Sequence, residues 1–334
     1  MIRRALLGIK QNLLYVVVAS LALGLLAGQV FDAGTKHLLQ GAITPVLFLM
    51  VYPMMINIDL KEVLNVRDHL APVALSLAIN FAVAPAIAVV LARLFFAGNP
   101  AYAVGLYLIA LIPTSGMTAA WTGLADGDLE AALVAMAANL LTAVVVLPAY
   151  LSLLVGDGVA FEPGALYRQM ALFVVVPMVA GNVTRRLVLR TQGPSGFERL
   201  KPLFGGASSL GVMAIVFIAM TMRSEAILSD PIGSAITIVP LVLFYAVLLV
   251  VGVAVGRTLV APAQGIALIY ATSMRNLSIA VAIAVASETL PTEAILPIAL
   301  AYLLQPPLGV VYMHYRRDVV AEGRAVDEVV RSLV

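Results

Sequence analysis

Apolar residues run along this chain in long unbroken blocks, not in the two-residue alternation of a half-buried strand or the stripe of a surface helix. Blocks of spanning length fall near 12–30, 38–56, 71–95, 101–124, 130–155, 166–184, 203–222, 232–256, 263–287 and 291–313. About 20 apolar residues in a helix cross the roughly 30 Å hydrocarbon core. The pattern therefore predicts an all-α polytopic membrane protein with ten transmembrane helices. Continuously apolar segments such as 241–255 argue against the alternating strands of a β-barrel. The first block follows Arg3, Arg4 and Lys10, as a signal peptide would. It is longer than the roughly 7–15 residues of a signal core, and is read as a retained helix.

Composition agrees. Of 334 residues, 62% are hydrophobic and 11% charged, and mean hydropathy is +1.04. Soluble domains carry about 25% charged residues, so the apolar surplus here must face lipid. No soluble-type stretch remains for a catalytic or nucleic-acid-binding domain. Net charge is only +2, but its placement is informative. With the N-terminus in the cytoplasm, the cytoplasmic segments hold Arg3, Arg4, Lys10, Lys61, Arg67, Arg185, Arg186, Arg190, Arg199, Lys201, Arg257, Arg316, Arg317, Arg324 and Arg331, or 15 of the 20 basic residues. The opposite side holds Lys36, Arg93, Arg168 and Arg223. This asymmetry places both termini in the cytoplasm, across a cell membrane, and requires an even number of spans.

The inventory of chemistry is short. There is no cysteine, which removes disulfides, thiolate metal sites and a cysteine nucleophile. His37, His69 and His314 show no metal spacing, and Met50–Met55 reads as packing. No phosphate loop, nucleophile elbow or metalloprotease motif is present. No cofactor, metal, nucleotide or nucleic acid is expected, and the expected partners are the bilayer and a small solute. A membrane-embedded enzyme would need a convergent nucleophile, base or metal set, and the intramembrane Thr, Ser, Asn and single Arg do not supply one.

The chain also repeats itself weakly. A shift of 160 residues sets Gly105-Leu-Tyr-Leu-Ile-Ala-Leu-Ile-Pro-Thr-Ser-Gly against Gly265-Ile-Ala-Leu-Ile-Tyr-Ala-Thr-Ser-Met-Arg-Asn, and Thr118 against Ser278. The predicted division is a five-helix repeat over 1–160, a second over 161–315 and a cytoplasmic tail over 316–334. Five is odd, so the second repeat would be inverted, as in many secondary carriers that bind solute where the halves meet.

Both aligned segments interrupt their helices. Pro113-Thr-Ser-Gly-Met-Thr118 sits mid-way along the fourth block, and Thr272-Ser-Met-Arg-Asn276 along the ninth. Proline removes a backbone donor and glycine adds freedom, and backbone groups freed in hydrocarbon need protein or a watery cavity. Half-helix N-termini offer N–H groups and partial positive charge to an anion. Arg275 is the sharpest residue. It has about a dozen apolar-block residues on either side, too deep for snorkelling. A mid-bilayer charge costs roughly 2.5–3.5 kcal/mol or more unless it is paired or faces a cavity. Thr114, Ser115, Thr118, Ser273, Arg275 and Asn276 are the candidate substrate-binding set. Asn80 and Asn139 either cap a broken helix or hydrogen-bond a neighbour, while Asp126, Asp128, Glu130 and Glu288 read as solvated loop charges.

These features resemble a known family. Ten spans, interrupted fourth and ninth helices and Leu124-Ala-Asp-Gly-Asp-Leu resemble the bile acid/sodium symporter superfamily. Phe48-Leu-Met-Val-Tyr-Pro-Met-Met, Ala120-Trp and Leu277-Ser-Ile-Ala-Val-Ala-Ile-Ala are most similar to its arsenical-resistance carrier branch. The resemblance implies a panel domain of helices 1, 2, 6 and 7 rocking against a core domain of helices 3–5 and 8–10. It also exposes departures. The arsenite carriers' helix-4 cysteine is matched by Thr114, and their helix-9 glutamate by Asn276. The sodium-ligand positions of the bile acid relatives are matched by Thr118-Ala119, Ala271 and Arg275-Asn276. The resulting expectation is a secondary carrier of a small anionic or oxyanionic solute that is not sodium-coupled. The rival readings are a sodium-coupled organic-anion symporter, a channel and a membrane-embedded enzyme.

Overall fold

The computed structural model describes residues 13–155, 163–229, 231–287, 290–316 and 320. The flanking cations Arg3, Arg4, Lys10, Arg317, Arg324 and Arg331, most of the expected 316–334 tail, and Glu288 lie outside these residues. Every regular element among them is helical. In chain order they are α1 (Leu13–Val30), α2 (Ala33–Gly41), α3 (Ile43–Ile56), a 3-10 helix (Leu60–His69), α4 (Leu70–Ala78), α5 (Ala84–Phe95), α6 (Pro100–Leu111), α7 (Gly116–Leu124) and α8 (Leu129–Val155). There follow α9 (Pro163–Met170), α10 (Val176–Ser229), α11 (Pro231–Ile236), α12 (Ile238–Thr258), α13 (Pro262–Ser273), α14 (Leu277–Ala286) and α15 (Ile295–His314). Single π-helical turns at Ile79–Val83 and Ala171–Val175 join α4 to α5 and α9 to α10.

Among the described residues, six helical stretches are long and apolar enough to cross a membrane: Ala33–Ile56, Val66–Phe95, Leu129–Val155, Gly164–Met222, Ile238–Thr258 and Ile295–His314. Three shorter apolar helices accompany them, at Val18–Val30, Pro100–Leu111 and Leu277–Ala286. The difference from ten apolar blocks has identifiable causes, beginning with the first block, whose apolar stretch counts only over Val18–Val30. The fourth and ninth blocks are each cut into two short helices, none long enough alone. The sixth and seventh lie in one helical stretch that bends at Gly193, where φ is 70°. A left-handed turn of that kind suits glycine, and Pro194 then restarts the helix at a position where its missing N–H costs little.

Packing divides the helices into two groups. α10 packs most extensively on α3 and α1, and small residues make that possible. A Cβ on Gly28 would lie 2.4 Å from the Thr221 carbonyl oxygen, and one on Gly211 2.6 Å from the Met50 Cα. Hydrogen bonds reinforce these seams: Ser208 Oγ donates to the Met50 carbonyl (2.6 Å) and Gln29 Nε2 to Ser224 Oγ (3.1 Å). In a bilayer, where burial from water no longer drives helix association, such close backbone approach and interhelical bonding take over. The second group surrounds the breaks, with α13 packed on α12, α8, α4 and α7, and α6 packed on α5, α8 and α15.

One of the tightest backbone approaches in this second group joins α12 to α13. A Cβ on Gly265 would stand 2.4 Å from the Gly256 carbonyl oxygen, and backbone cannot yield as a flexible side chain can. We therefore expect Gly265→Leu to destabilise the protein by about 1–3 kcal/mol or more, read as a lowered melting temperature in detergent. Gly98→Ala, which would meet nothing within 4 Å, is the control and should melt with the wild type. Equal melting of Gly265→Leu would refute the packing account.

Candidate functional site

Breaking a helix inside a protein leaves carbonyls without donors at one end and amides without acceptors at the other. α6 ends at Leu111 and α7 begins at Gly116; α13 ends at Ser273 and α14 begins at Leu277. The extended residues between them pair with each other. Pro113 and Arg275 form an isolated antiparallel bridge, and the Asn276 amide donates to the Ile112 carbonyl at 3.1 Å. Thr114 sits in the left-handed region at φ 55°. That conformation is unfavourable for a β-branched residue, and is held only where the surroundings over-determine it.

The new helix starts are capped by the candidate residues themselves. Ser115 accepts from the Met117 amide, while Thr118 accepts from the Ser115 amide and donates to the Tyr270 carbonyl across the break (3.3 Å). Asn276 accepts from the Ile279 amide. These caps occupy amides that a free N-terminus would offer to an anion, so the helix ends contribute mainly their partial positive charge. Thr114 donates weakly to the Met136 carbonyl (3.4 Å), and Ser273 bonds back to the Ile269 carbonyl in its own helix (2.6 Å). Ser115 is half-buried and Gly116 exposed, whereas Thr114, Thr118, Ser273, Arg275 and Asn276 are all buried.

Asn80 and Asn139 form a ladder beside the second break. Asn80 donates to Asn139 Oδ1 (2.9 Å) and to the Ala271 carbonyl (3.0 Å), and Asn139 donates to Ser76 Oγ (2.8 Å). The π turn that starts at Ile79 re-aims Asn80 into this position. Of the loop charges, Asp128 caps α8 through the Ala131 amide (2.9 Å). It also stands 3.7 Å from His69, with Glu130 at 3.8 Å from the same ring.

Arg275 is 1% exposed and the largest of the fully buried side chains. Nη1 donates to the Ala110 carbonyl at 3.2 Å, one of the carbonyls freed at the end of α6, where a cation also meets the negative helix end. The guanidinium lies 5.6 Å from the Phe244 ring centroid. Nε and Nη2 are buried without a hydrogen-bond partner among the described residues. None of the ion pairs among those residues involves Arg275.

Three neighbours of this site escape sequence reasoning: Gln305, Phe244 and Tyr245. Gln305 accepts from the Arg275 amide (2.7 Å), donates to the Arg275 carbonyl (3.0 Å), and accepts from the Tyr245 hydroxyl (3.1 Å). One side-chain amide thus stands in for a neighbouring strand. A signal existed: Gln305 is a lone amide in an apolar block, directly before Pro306-Pro307. Phe244 and Tyr245, inside a uniformly apolar block, carry no such mark. A cavity of about 240 Å³ lies elsewhere, lined by Arg93, Phe96, Val104, Tyr107 and Leu154. Its walls are largely apolar and hold no residue of the breaks.

The profile of the Sodium Bile acid symporter family matches residues 44–230, a span that includes the first break and stops before the second. The arsenical-resistance protein Acr3 of Alkaliphilus metalliredigens is 25% identical over 245 residues, 67% of this chain and 68% of that protein. The protein of the same name from Corynebacterium glutamicum is 23% identical over 60% of this chain, a match that spans 57% of its own length. The uncharacterised Bacillus subtilis protein YbaS is 22% identical over 88% of this chain and 92% of its own length.

If Gln305 holds the second break, replacing it by leucine orphans both backbone groups of Arg275, at about 1–3 kcal/mol for each buried group. Gln305→Leu should therefore melt several degrees below the wild type in a thermal unfolding series. Indistinguishable melting would show that the amide does not hold the break.

Proposed function

Because the chain belongs to the sodium bile acid symporter family, we propose that it is a secondary active transporter and not an enzyme, moving a small anionic or oxyanionic solute across the cell membrane by alternating access. The observation that carries this reading is the guanidinium of Arg275. It is buried where two helix breaks meet and has no carboxylate partner among the described residues. An unpaired buried cation is strongly unfavourable. A transported anion would serve as its counter-ion for part of each cycle.

In this reading the ten apolar blocks are ten spans in two inverted repeats. The fourth is formed by α6 and α7, and the ninth by α13 and α14. Two observations support the repeat. The residues that pair across the breaks, Pro113 and Arg275, lie close to the 160-residue register. Gly105 and Gly265, aligned by that register, each press against a neighbouring carbonyl, at 2.3 and 2.4 Å from an added Cβ. The panel would comprise α1, α3 and α10, and the core the helices around the breaks, with both termini cytoplasmic. Arg275, Asn276, Thr114, Ser115 and Thr118 would line the solute path. Ser273, Asn80 and Asn139 would support the core from behind.

The match to proteins named for arsenical resistance supports assignment to that branch. However, a chain without cysteine cannot hold trivalent arsenic through thiolates, and Thr114 and Asn276 stand where the resemblance places the arsenite carriers' cysteine and glutamate. The family's name supports a second reading, sodium-coupled symport. Ala119 and Ala271 offer no side-chain oxygen, and the nearby guanidinium repels a cation.

Two measurements test the proposal. In proteoliposomes loaded with a panel of oxyanions and carboxylates, Arg275→Ala should abolish uptake while expression and monodispersity persist. Wild-type rates in that variant would remove Arg275 from the mechanism. Replacing sodium by choline at fixed pH should leave the wild-type rate unchanged, whereas a strict sodium requirement would restore the symport reading.

A further inference from the structure

The surroundings of Arg275 fix which part of the guanidinium is free. Its backbone N–H and C=O are both taken by Gln305, so the residue cannot slide along the break. Nη1 is tied to the Ala110 carbonyl, and one face lies against the Phe244 ring. The two nitrogens that remain are Nε and Nη2, both buried and without a partner among the described residues. They are neighbours. In arginine, Nη2 is the terminal nitrogen on the same side as the Nε–H, so the two present parallel N–H bonds along one edge of the plane. That edge is the fork that meets two oxygens attached to a single atom.

We infer that Arg275 binds its solute edge-on through Nε and Nη2, and that the site therefore selects anions with two oxygens on one central atom. Carboxylates and planar or tetrahedral oxyanions are of this class; halides and neutral hydroxides are not. The inference rests on the carrier reading above, and adds the shape of the group recognised. The Nε/Nη2 edge is favoured because both of its nitrogens lack partners, whereas Nη1 already donates to the Ala110 carbonyl and the backbone is held by Gln305. A single-atom anion would engage one N–H well and leave the other donor buried without an acceptor, which is costly in a site this buried. The neighbours are consistent with this: the Phe244 ring lies against the cation, Gln305 holds its backbone and is itself held by the Tyr245 hydroxyl, and none of the three carries a charge.

The test uses the full chain in detergent and in proteoliposomes, with monovalent probes of equal charge. Formate, acetate and nitrate carry paired oxygens, while chloride, bromide and thiocyanate do not. Thermal stabilisation titrated with each salt at constant ionic strength should show the paired-oxygen anions binding at least about tenfold more tightly. Arg275→Lys keeps the charge but has no fork, so it should lose that preference. Halides binding as tightly as carboxylates to the wild type would overturn the inference without any variant. So would a preference that survives in Arg275→Lys. Uptake measurements separate the two claims. Arg275-dependent transport of halides would retain the carrier and reject the fork, whereas paired-oxygen binding without uptake of any anion would retain the fork and reject the carrier.

Discussion

A helix broken inside hydrocarbon must find partners for every backbone group it frees, because no water is present to take them. Most of what is distinctive in this protein follows from that constraint. Two helices are broken, and each break supplies what the other lacks. The Ile112 carbonyl receives the Asn276 amide, and the Ala110 carbonyl receives the Arg275 guanidinium. Gln305 completes the set by satisfying the amide and carbonyl of Arg275 together. Thr118 at the first break returns a bond to the Tyr270 carbonyl of α13, so the two breaks are tied in both directions.

The same constraint explains the chemistry left at the centre. Hydroxyls and amides that a solute might use are largely committed to structure: Ser115, Thr118 and Asn276 cap helices, and Asn80 and Asn139 hold each other and the Ala271 carbonyl. The guanidinium is the main exception, with more donors than its neighbours accept, and Asn80 Oδ1 also lacks a partner among the described residues. In a site where neutral groups have been paired off, the remaining charge dominates the local field. Thr114 at a positive φ adds strain at the same place, a feature that tends to persist where function requires it.

The sequence carried much of this, unevenly. Apolar block length revealed an all-helical membrane chain because hydrophobicity is the direct physical requirement for spanning. Pro113 and Gly116 marked the first break, and Arg275 the second, because each violates what a buried helix tolerates. The number of long helices was less legible. A block of apolar residues looks alike whether it folds as one helix or as two halves such as α6 and α7, and the bend at Gly193 joins what composition would separate. The partners of Arg275 were the least legible. Phe244 and Tyr245 occupy an apolar block where nothing distinguishes them from packing residues, and their proximity to residue 275 is a property of helix packing alone. Gln305 differs, since an amide beside two prolines is the same kind of violation as Pro113, found in the tenth block instead of the fourth.

The placement of these contacts also constrains how a solute could reach the guanidinium. Every group that fixes Arg275 comes from the helices around the breaks: Ala110 from α6, Phe244 and Tyr245 from α12, and Gln305 from α15. None comes from α1, α3 or α10, which are bound to one another along seams of glycine and serine. Opening the site by pulling apart its own helices would break the bonds that aim the guanidinium. Opening it along the boundary where α14 meets α3 and α15 meets α1 would leave those bonds intact. Packed interiors prefer a few discrete arrangements to continuous deformation. In the proposed carrier, relative movement of the two helix groups would expose Arg275 while preserving the bonds that aim its guanidinium.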